Sequence, residues 1–187
     1  WVSVVGIASI FWGSKGYADT VISVADFGLK PDTRENAVAY VQKAIEACRG
    51  KEPVTLVFPE GRYDFWPQYA HEKNYYETNT YDVFPKRLAM LFEGLHNITV
   101  DGNGSQFVMH DRIQPITVEN CDGVTLKNFS IDWDIPLTAQ ARVTKVGSDF
   151  FEIEINVLES PYIIEDGKLV FVGEGWKSAL GSMIAVS

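Results

Sequence analysis

Two aspartates separated by a single residue, Asp132-Trp133-Asp134, are the pair in this sequence whose spacing could do chemistry. In an extended strand, residues two apart project to the same face, about 6.5–7 Å from one another. Carboxyl groups at roughly that separation suit a one-step hydrolysis of a glycosidic bond, with one as acid, one as base and a water between them. The acid of such a pair needs a raised pKa, supplied by burial or by its neighbour's charge. The plainer alternative is that both aspartates cap the end of a strand while Trp133 faces the core. A second group, His110-Asp111-Arg112, closes the apolar run Phe107-Val108-Met109. Its arginine could hold a sugar hydroxyl or orient a carboxylate; the competing reading is a solvated corner with an internal ion pair. Asp132 and Asp134 are thus the catalytic candidates, and Trp133, His110, Asp111 and Arg112 the substrate-binding ones. His71, His96 and His110 show no metal-ligand spacing, so no zinc site is expected. Asp101-Gly102-Asn103-Gly104 reads as a tight corner, not a phosphate loop or a calcium loop.

The elements that must position these groups show a repeat. Phe92, Ile98 and Val100 recur as Val118, Val124 and Leu126, offset by 26 residues, a period expected of stacked coils. Each unit has a short strand, a Gly/Asn/Asp corner and a second alternating strand. Such units bury their inward residues only against the unit above or below, which implies a solenoid of parallel strands. An antiparallel meander would give the same spacing. Upstream, Val38, Val41, Ile45 and Cys48 mark one face of a helix. Asp32 and Glu35 are expected to cap its start, and Gly50 to stop it. This helix would cover the open end of the stack. After Leu137 the pattern changes to hairpin alternation, Ala139–Val146 against Phe150–Ile155, with a third strand at Lys168–Val172. The expected divisions are a truncated signal peptide at residues 1–18, the coils at 19–137 and a partial β-barrel at 138–187.

Composition narrows the functional classes. Hydrophobic residues make up 46% and charged residues 22% of the chain, which excludes a disordered chain. The formal net charge of -9 argues against nucleic acid and anionic membrane surfaces as partners. Cys48 and Cys121 make no disulfide framework and read as small apolar residues. The apolar, uncharged run from Trp1 to Trp12, followed by small residues up to Ala18, resembles the end of a secretory signal and is too short to span a bilayer. A secreted or periplasmic location, without membrane insertion, follows as the expectation. The polar, tyrosine-rich stretch Gln68–Arg87 is long for a loop, and such insertions carry function or simply pack on the surface.

Asp26-Phe27-Gly28, Asp32, Asn36-Ala37, Gln42-Lys43-Ala44-Ile45 and Val57-Phe58-Pro59-Glu60-Gly61-Arg62-Tyr63 resemble the entry segment of the pectin-lyase-like right-handed parallel β-helix. More narrowly, Val24–Thr33, Gly61–Pro67 and Ile131–Thr138 resemble glycoside hydrolase family 110, over about Val21 to Ser178. That resemblance implies an all-β fold: a right-handed parallel β-helix with an N-terminal capping α-helix, followed by part of a small inserted β-barrel. It also implies bacterial removal of terminal α-1,3-linked galactose, as in blood-group B and linear α-galactosyl glycans, by inversion and without metal or cofactor. The family's catalytic aspartates would fall on coils past Ser187, since no residue here matches them, so this segment alone would be inactive. A non-catalytic glycan-binding β-helix, adhesin or tailspike-like, is the rival reading. Oligomeric state is not legible in the sequence.

Overall fold

The computed structural model describes residues 20–74 and 85–179. The signal-like run at 1–18, Tyr75, Tyr76 and Tyr81 of the long loop, and residues 180–187 lie outside the described residues.

The described chain begins with β1 (Thr20–Ser23), passes through a 3-10 turn at Val24–Phe27 and forms α1 (Val38–Cys48). The strands β2 (Val54–Val57), β3 (Arg62–Phe65), β4 (His71–Lys73), β5 (Lys86–Glu93), β6 (His96–Met109), β7 (Gln114–Glu119) and β8 (Asp122–Trp133) follow. Two further groups complete it: β9 (Arg142–Val146) with β10 (Phe151–Glu154), then β11 (Tyr162–Glu165), β12 (Lys168–Val172) and β13 (Lys177–Ala179).

Helix α1 buries Val38, Val41, Ile45 and Cys48 together with Ala44, and lays that face over β1, β2 and β5. The cap expected of Asp32 is used elsewhere. Asp32 and Arg34 both hold φ 62°, a left-handed conformation that cannot run into a right-handed helix. The Asp32 carboxylate instead accepts the Arg62 backbone N–H at 2.9 Å, tying the segment to β3. The helix starts later, where the Asn36 side chain accepts the Val38 N–H at 3.1 Å. At the far end Gly50 takes the positive φ, 74°, that lets the chain leave.

Strands pair in parallel in the order β1-β2-β6-β3, with β8 also on β6. The repeat sets the register: Ile98 pairs with Val124, Val100 with Leu126, and Phe92 of β5 with Val118 of β7. Val100 is fully buried, whereas Leu126 is 39% exposed, because β8 has no further strand beside it among the described residues. The largest buried side chains, Tyr63, Phe58, Phe65, Phe92 and Phe107, fill the space behind the parallel sheet.

The architecture corrects the expected right-handed parallel β-helix. The described residues form several small sheets and one α-helix, with no closed barrel among them. One sheet is parallel, one mixed, and the sheets of β9–β10 and β11–β13 are antiparallel. The physical reason lies in what an offset specifies. A 26-residue repeat fixes which two segments are neighbours and in what register, but says nothing of the segments outside it. Strand β4, for example, joins β5 antiparallel. Its Lys73 ammonium lies 2.7 Å from Glu93 and 2.8 Å from Glu119. Those two carboxylates are stacked on paired strands, where like charges would otherwise repel.

The corner within β6 is tight in the way its sequence suggests. A Cβ on Gly102 would lie 2.5 Å from the Phe129 Cβ and 2.7 Å from the Asn128 carbonyl oxygen. Gly102→Ala is therefore expected to cost about 2 kcal/mol by forcing β6 away from β8, read as a lowered melting temperature. A variant as stable as the parent would show that the corner has room to spare. Cys48 and Cys121 are both free; burial pushes the Cys48 thiol up to about 11. Among the described residues, no helix is long and apolar enough to cross a membrane.

Candidate functional site

One face of the parallel sheet is polar, and the alternation of the strands puts it there. Arg62 and Asp64 of β3 lie two apart and share a face. In register, Asp64 pairs with Val108 of β6, and Val108 with Asp132 of β8. The pairing continues one step past the strands, where the Asp134 N–H donates to the Met109 carbonyl at 3.1 Å. That step brings Trp66, His110 and Asp134 onto the same face, beside the row of Asp64, Val108 and Asp132.

At its centre is a buried charged network. The Asp64 side chain is wholly buried. It accepts from Arg62 Nη2 at 2.6 Å and Nε at 3.0 Å, and pairs with His110 Nε2 at 2.9 Å. Arg62 Nη2 also donates to Asp134 at 2.7 Å, and Arg34 approaches the same carboxylate at 3.7 Å. On the other side of the ring, His110 Nδ1 lies 2.8 and 2.9 Å from the two Glu174 oxygens. Trp66 stacks on that ring with centroids 3.8 Å apart and planes within 8°.

The electrostatics follow from burial and partners. Burial alone would raise the Asp64 pKa, but the hydrogen bonds from Arg62 and His110 outweigh it and hold the carboxyl below the usual carboxylate range. The Arg62 guanidinium is raised further above its already high value, chiefly by its hydrogen bond to Asp64. One donor atom each from Asp64, His110 and Asp134 lie within 4.8 Å of one another, close enough for a cation to bridge. The guanidinium of Arg62, bonded to both carboxylates, already supplies the positive charge there.

The residues singled out in the sequence have different fates. His110 is buried at 2% exposure, so the solvated corner read for it is corrected: its partners Asp64 and Glu174 close over it from β3 and from the segment after β12. Asp111 and Arg112 form the turn that follows, with Asp111 at φ 56°. The Asp111 carbonyl accepts the Trp133 indole N–H at 3.2 Å, and Trp133 is half-buried against the core. Asp132 is exposed and accepts its neighbour Trp133's backbone N–H at 2.8 Å. Asp134 is exposed and bound to arginine. The structure thus joins His110 and Asp134 into one network, with Trp133 anchored beside it, while Arg112 is exposed.

Sequence reasoning passed over Arg62, Asp64, Trp66 and Glu174. The signal for the first three was the alternation Arg62-Tyr63-Asp64-Phe65-Trp66, polar or amphipathic on one face and aromatic on the other. Glu174 had none, being 64 residues from the histidine it holds. Beside the network lies a cleft of about 520 Å³ whose walls include Trp66, Tyr69, Arg87, Asp111 and Glu174. A hollow of about 540 Å³ at the β9–β10 hairpin, lined by Gln140, Arg142 and Glu154, carries none of these groups.

Comparison with known proteins adds to this geometry. Residues 139–187 match the family model described as GLAA-B beta-barrel domain I, a barrel domain and not a parallel β-helix. Over 167 residues the chain is 60% identical to alpha-1,3-galactosidase B of Bacteroides thetaiotaomicron, covering 89% of this chain and 27% of that protein. It is 37% identical over 158 residues to alpha-1,3-galactosidase A of Shewanella woodyi, covering 84% of this chain and 26% of that protein. A protein of Phocaeicola vulgatus named alpha-1,3-galactosidase B is 36% identical over 175 residues, 91% of this chain and 28% of its own length. The chain therefore spans little more than a quarter of the length of the curated relatives it matches. These matches bear out the resemblance of the chain to the N-terminal portion of glycoside hydrolase family 110.

Proposed function

We propose that this chain serves a glycosidase that removes terminal α-1,3-linked galactose, and that it acts as the N-terminal scaffold of that enzyme. The observation that carries the reading is the 60% identity, sustained over 167 residues, to a protein named alpha-1,3-galactosidase B. In this reading hydrolysis proceeds by a single displacement with inversion, and the acid and base stand on chain beyond the matched quarter. Asp132 and Asp134, with Asp111, Arg112 and Trp133, have a supporting, substrate-facing role at the rim of the polar face, and the buried His110 braces that face from within. The network supports that role, since Asp134 and His110 are both tied to partners that hold them still. The substrates are galactose-terminated glycans, and the signal-like run ending at Ala18 supports export from a bacterial cell.

Galactose release from a terminal α-1,3-galactosyl disaccharide tests this. The 187-residue chain is expected to release none, and a chain extended to the length of the relatives to release galactose with inverted anomeric configuration, followed by proton NMR. Release by the 187-residue chain, abolished by Asp132→Asn, would place the chemistry on the Asp132 pair instead. Sugar binding without turnover by the extended chain would favour a glycan-binding module.

A further inference from the structure

We infer that the cleft between Trp66 and Tyr69 is a binding subsite for a neutral hexopyranose; the choice of galactose as its probe rests on the glycosidase reading above. The segment that forms its floor is fastened from below. Asn36 Nδ2 donates to the Gln68 carbonyl at 2.9 Å and to the Trp66 carbonyl at 3.4 Å, and Gln42 Nε2 donates to the Tyr69 carbonyl at 2.8 Å. These three bonds hold Tyr69 at φ 68° with its side chain facing out and the residue 75% exposed. A tyrosine is a poor choice for a left-handed backbone and for full exposure to water. Keeping an aromatic ring in a strained, pinned and solvent-facing position makes physical sense where the ring has something to contact.

The lining says what that is. Two aromatic residues, Trp66 and Tyr69, offer flat apolar surface of the kind that covers the C–H face of a sugar ring. Around them stand Glu72, Arg87, Asp111 and Glu174, which supply acceptors and donors for hydroxyl groups. Three carboxylates against one guanidinium disfavour an anionic ligand such as a phosphate or a uronic acid. Glu174 is already engaged by His110, and Glu72 lies 3.4 Å from Arg87. Their charge is largely matched within the protein, which disfavours a cation and leaves polar atoms suited to neutral hydroxyls. Galactose presents one continuous C–H face, because its 4-hydroxyl is axial, and so fits an aromatic wall flanked by polar groups.

The test is a titration of the 187-residue chain with methyl α-galactoside, read by saturation-transfer NMR. We expect a dissociation constant on the order of 1 mM, the affinity suited to a monosaccharide in an open cleft. The informative variant is Tyr69→Gly, which removes the ring and relieves the left-handed strain together. It is expected to melt no lower than the parent and to bind at least tenfold more weakly, while Tyr69→Phe keeps the affinity within about twofold. No saturation up to about 50 mM, undiminished binding by Tyr69→Gly, or displacement of the sugar by tetramethylammonium would each overturn the subsite. Galactose release by the extended chain is read separately, so a chain that turns over substrate yet shows no binding here sinks the subsite alone.

Discussion

Asp64→Asn is expected to lower the stability of this chain by about 3 kcal/mol at pH 7, because it strips the buried network of its central charge. Arg62 donates to Asp64, and His110 Nε2 lies 2.9 Å from the same carboxylate. An asparagine of the same shape has one acceptor oxygen and turns an NH₂ group toward one of those partners. Asp134 and Glu174 still hold the outer sides of Arg62 and His110, which keeps the loss below that of an isolated buried charge. For a chain of this length the melting temperature should fall by about 9 °C, a shift that circular dichroism resolves easily.

The same residue sets an acid limb. Asp64 in the folded chain sits below the usual carboxylate range, burial pushing up and the hydrogen bonds from Arg62 and His110 pulling further down. Unfolded, it titrates near the ordinary value of about 3.9. Between those two values the unfolded chain binds the extra proton, so stability rises with pH across that window. The contribution of Asp64 is complete above about pH 4 and is lost as pH falls through its folded-state pKa. Melting curves from pH 7 downward should therefore show an acid-side loss in the parent that is shallower in Asp64→Asn. Equal melting temperatures at pH 7, or acid limbs of equal slope, would show that the network contributes shape and not stability.

Phe107→Ala is the other large effect, at about 4 kcal/mol. Phe107 is fully buried and stands at the middle of an aromatic group. Its ring centroid lies 4.8 Å from Phe58, 5.6 Å from Phe65, 6.2 Å from Tyr63 and 4.8 Å from Phe129. Those residues come from β3, β6, β8 and the turn after β2, so one truncation loosens every strand that carries the polar face. The neighbours are rings that cannot collapse into the space left behind, which puts the cost toward the upper end for a core aromatic. Phe107→Leu, which keeps most of the volume, should recover about half of the loss. Urea melts give both numbers; a Phe107→Ala loss below about 1.5 kcal/mol would mean that the aromatic group repacks.

The two predictions probe opposite faces of the same strands, and those faces differed in how far they could be read from sequence. The core face was legible. Alternation in β3 and β6 and the three- and four-residue steps of α1 are local patterns, and burying apolar surface is the dominant force. The repeat was legible too, down to the pairing of Val100 with Leu126, because side chains that stack in register must recur at the period of the backbone. What the repeat did not reveal was the architecture around it. Whether β4 joins parallel or antiparallel, and how the segments after Trp133 pair, depends on chain reversals with no periodic signature.

The polar face was legible only in fragments. His110 and Asp134 were singled out from their neighbours in sequence, Asp134 for its spacing from Asp132 and His110 for its place at a strand end. Asp64 passed unremarked, although it binds both the histidine and the arginine. Charge pairing acts through a few ångströms of space and leaves no trace at a fixed interval along the chain. By itself the sequence determined the family resemblance, the buried face of α1 and the register of the repeated strands, since each depends on local order. Tertiary structure alone decided that Arg62, Asp64, His110, Asp134 and Glu174 share one network and that Tyr69 is held outward beside it. A charged group in a low-dielectric interior takes whichever partner the fold brings within reach, however distant that partner is along the chain.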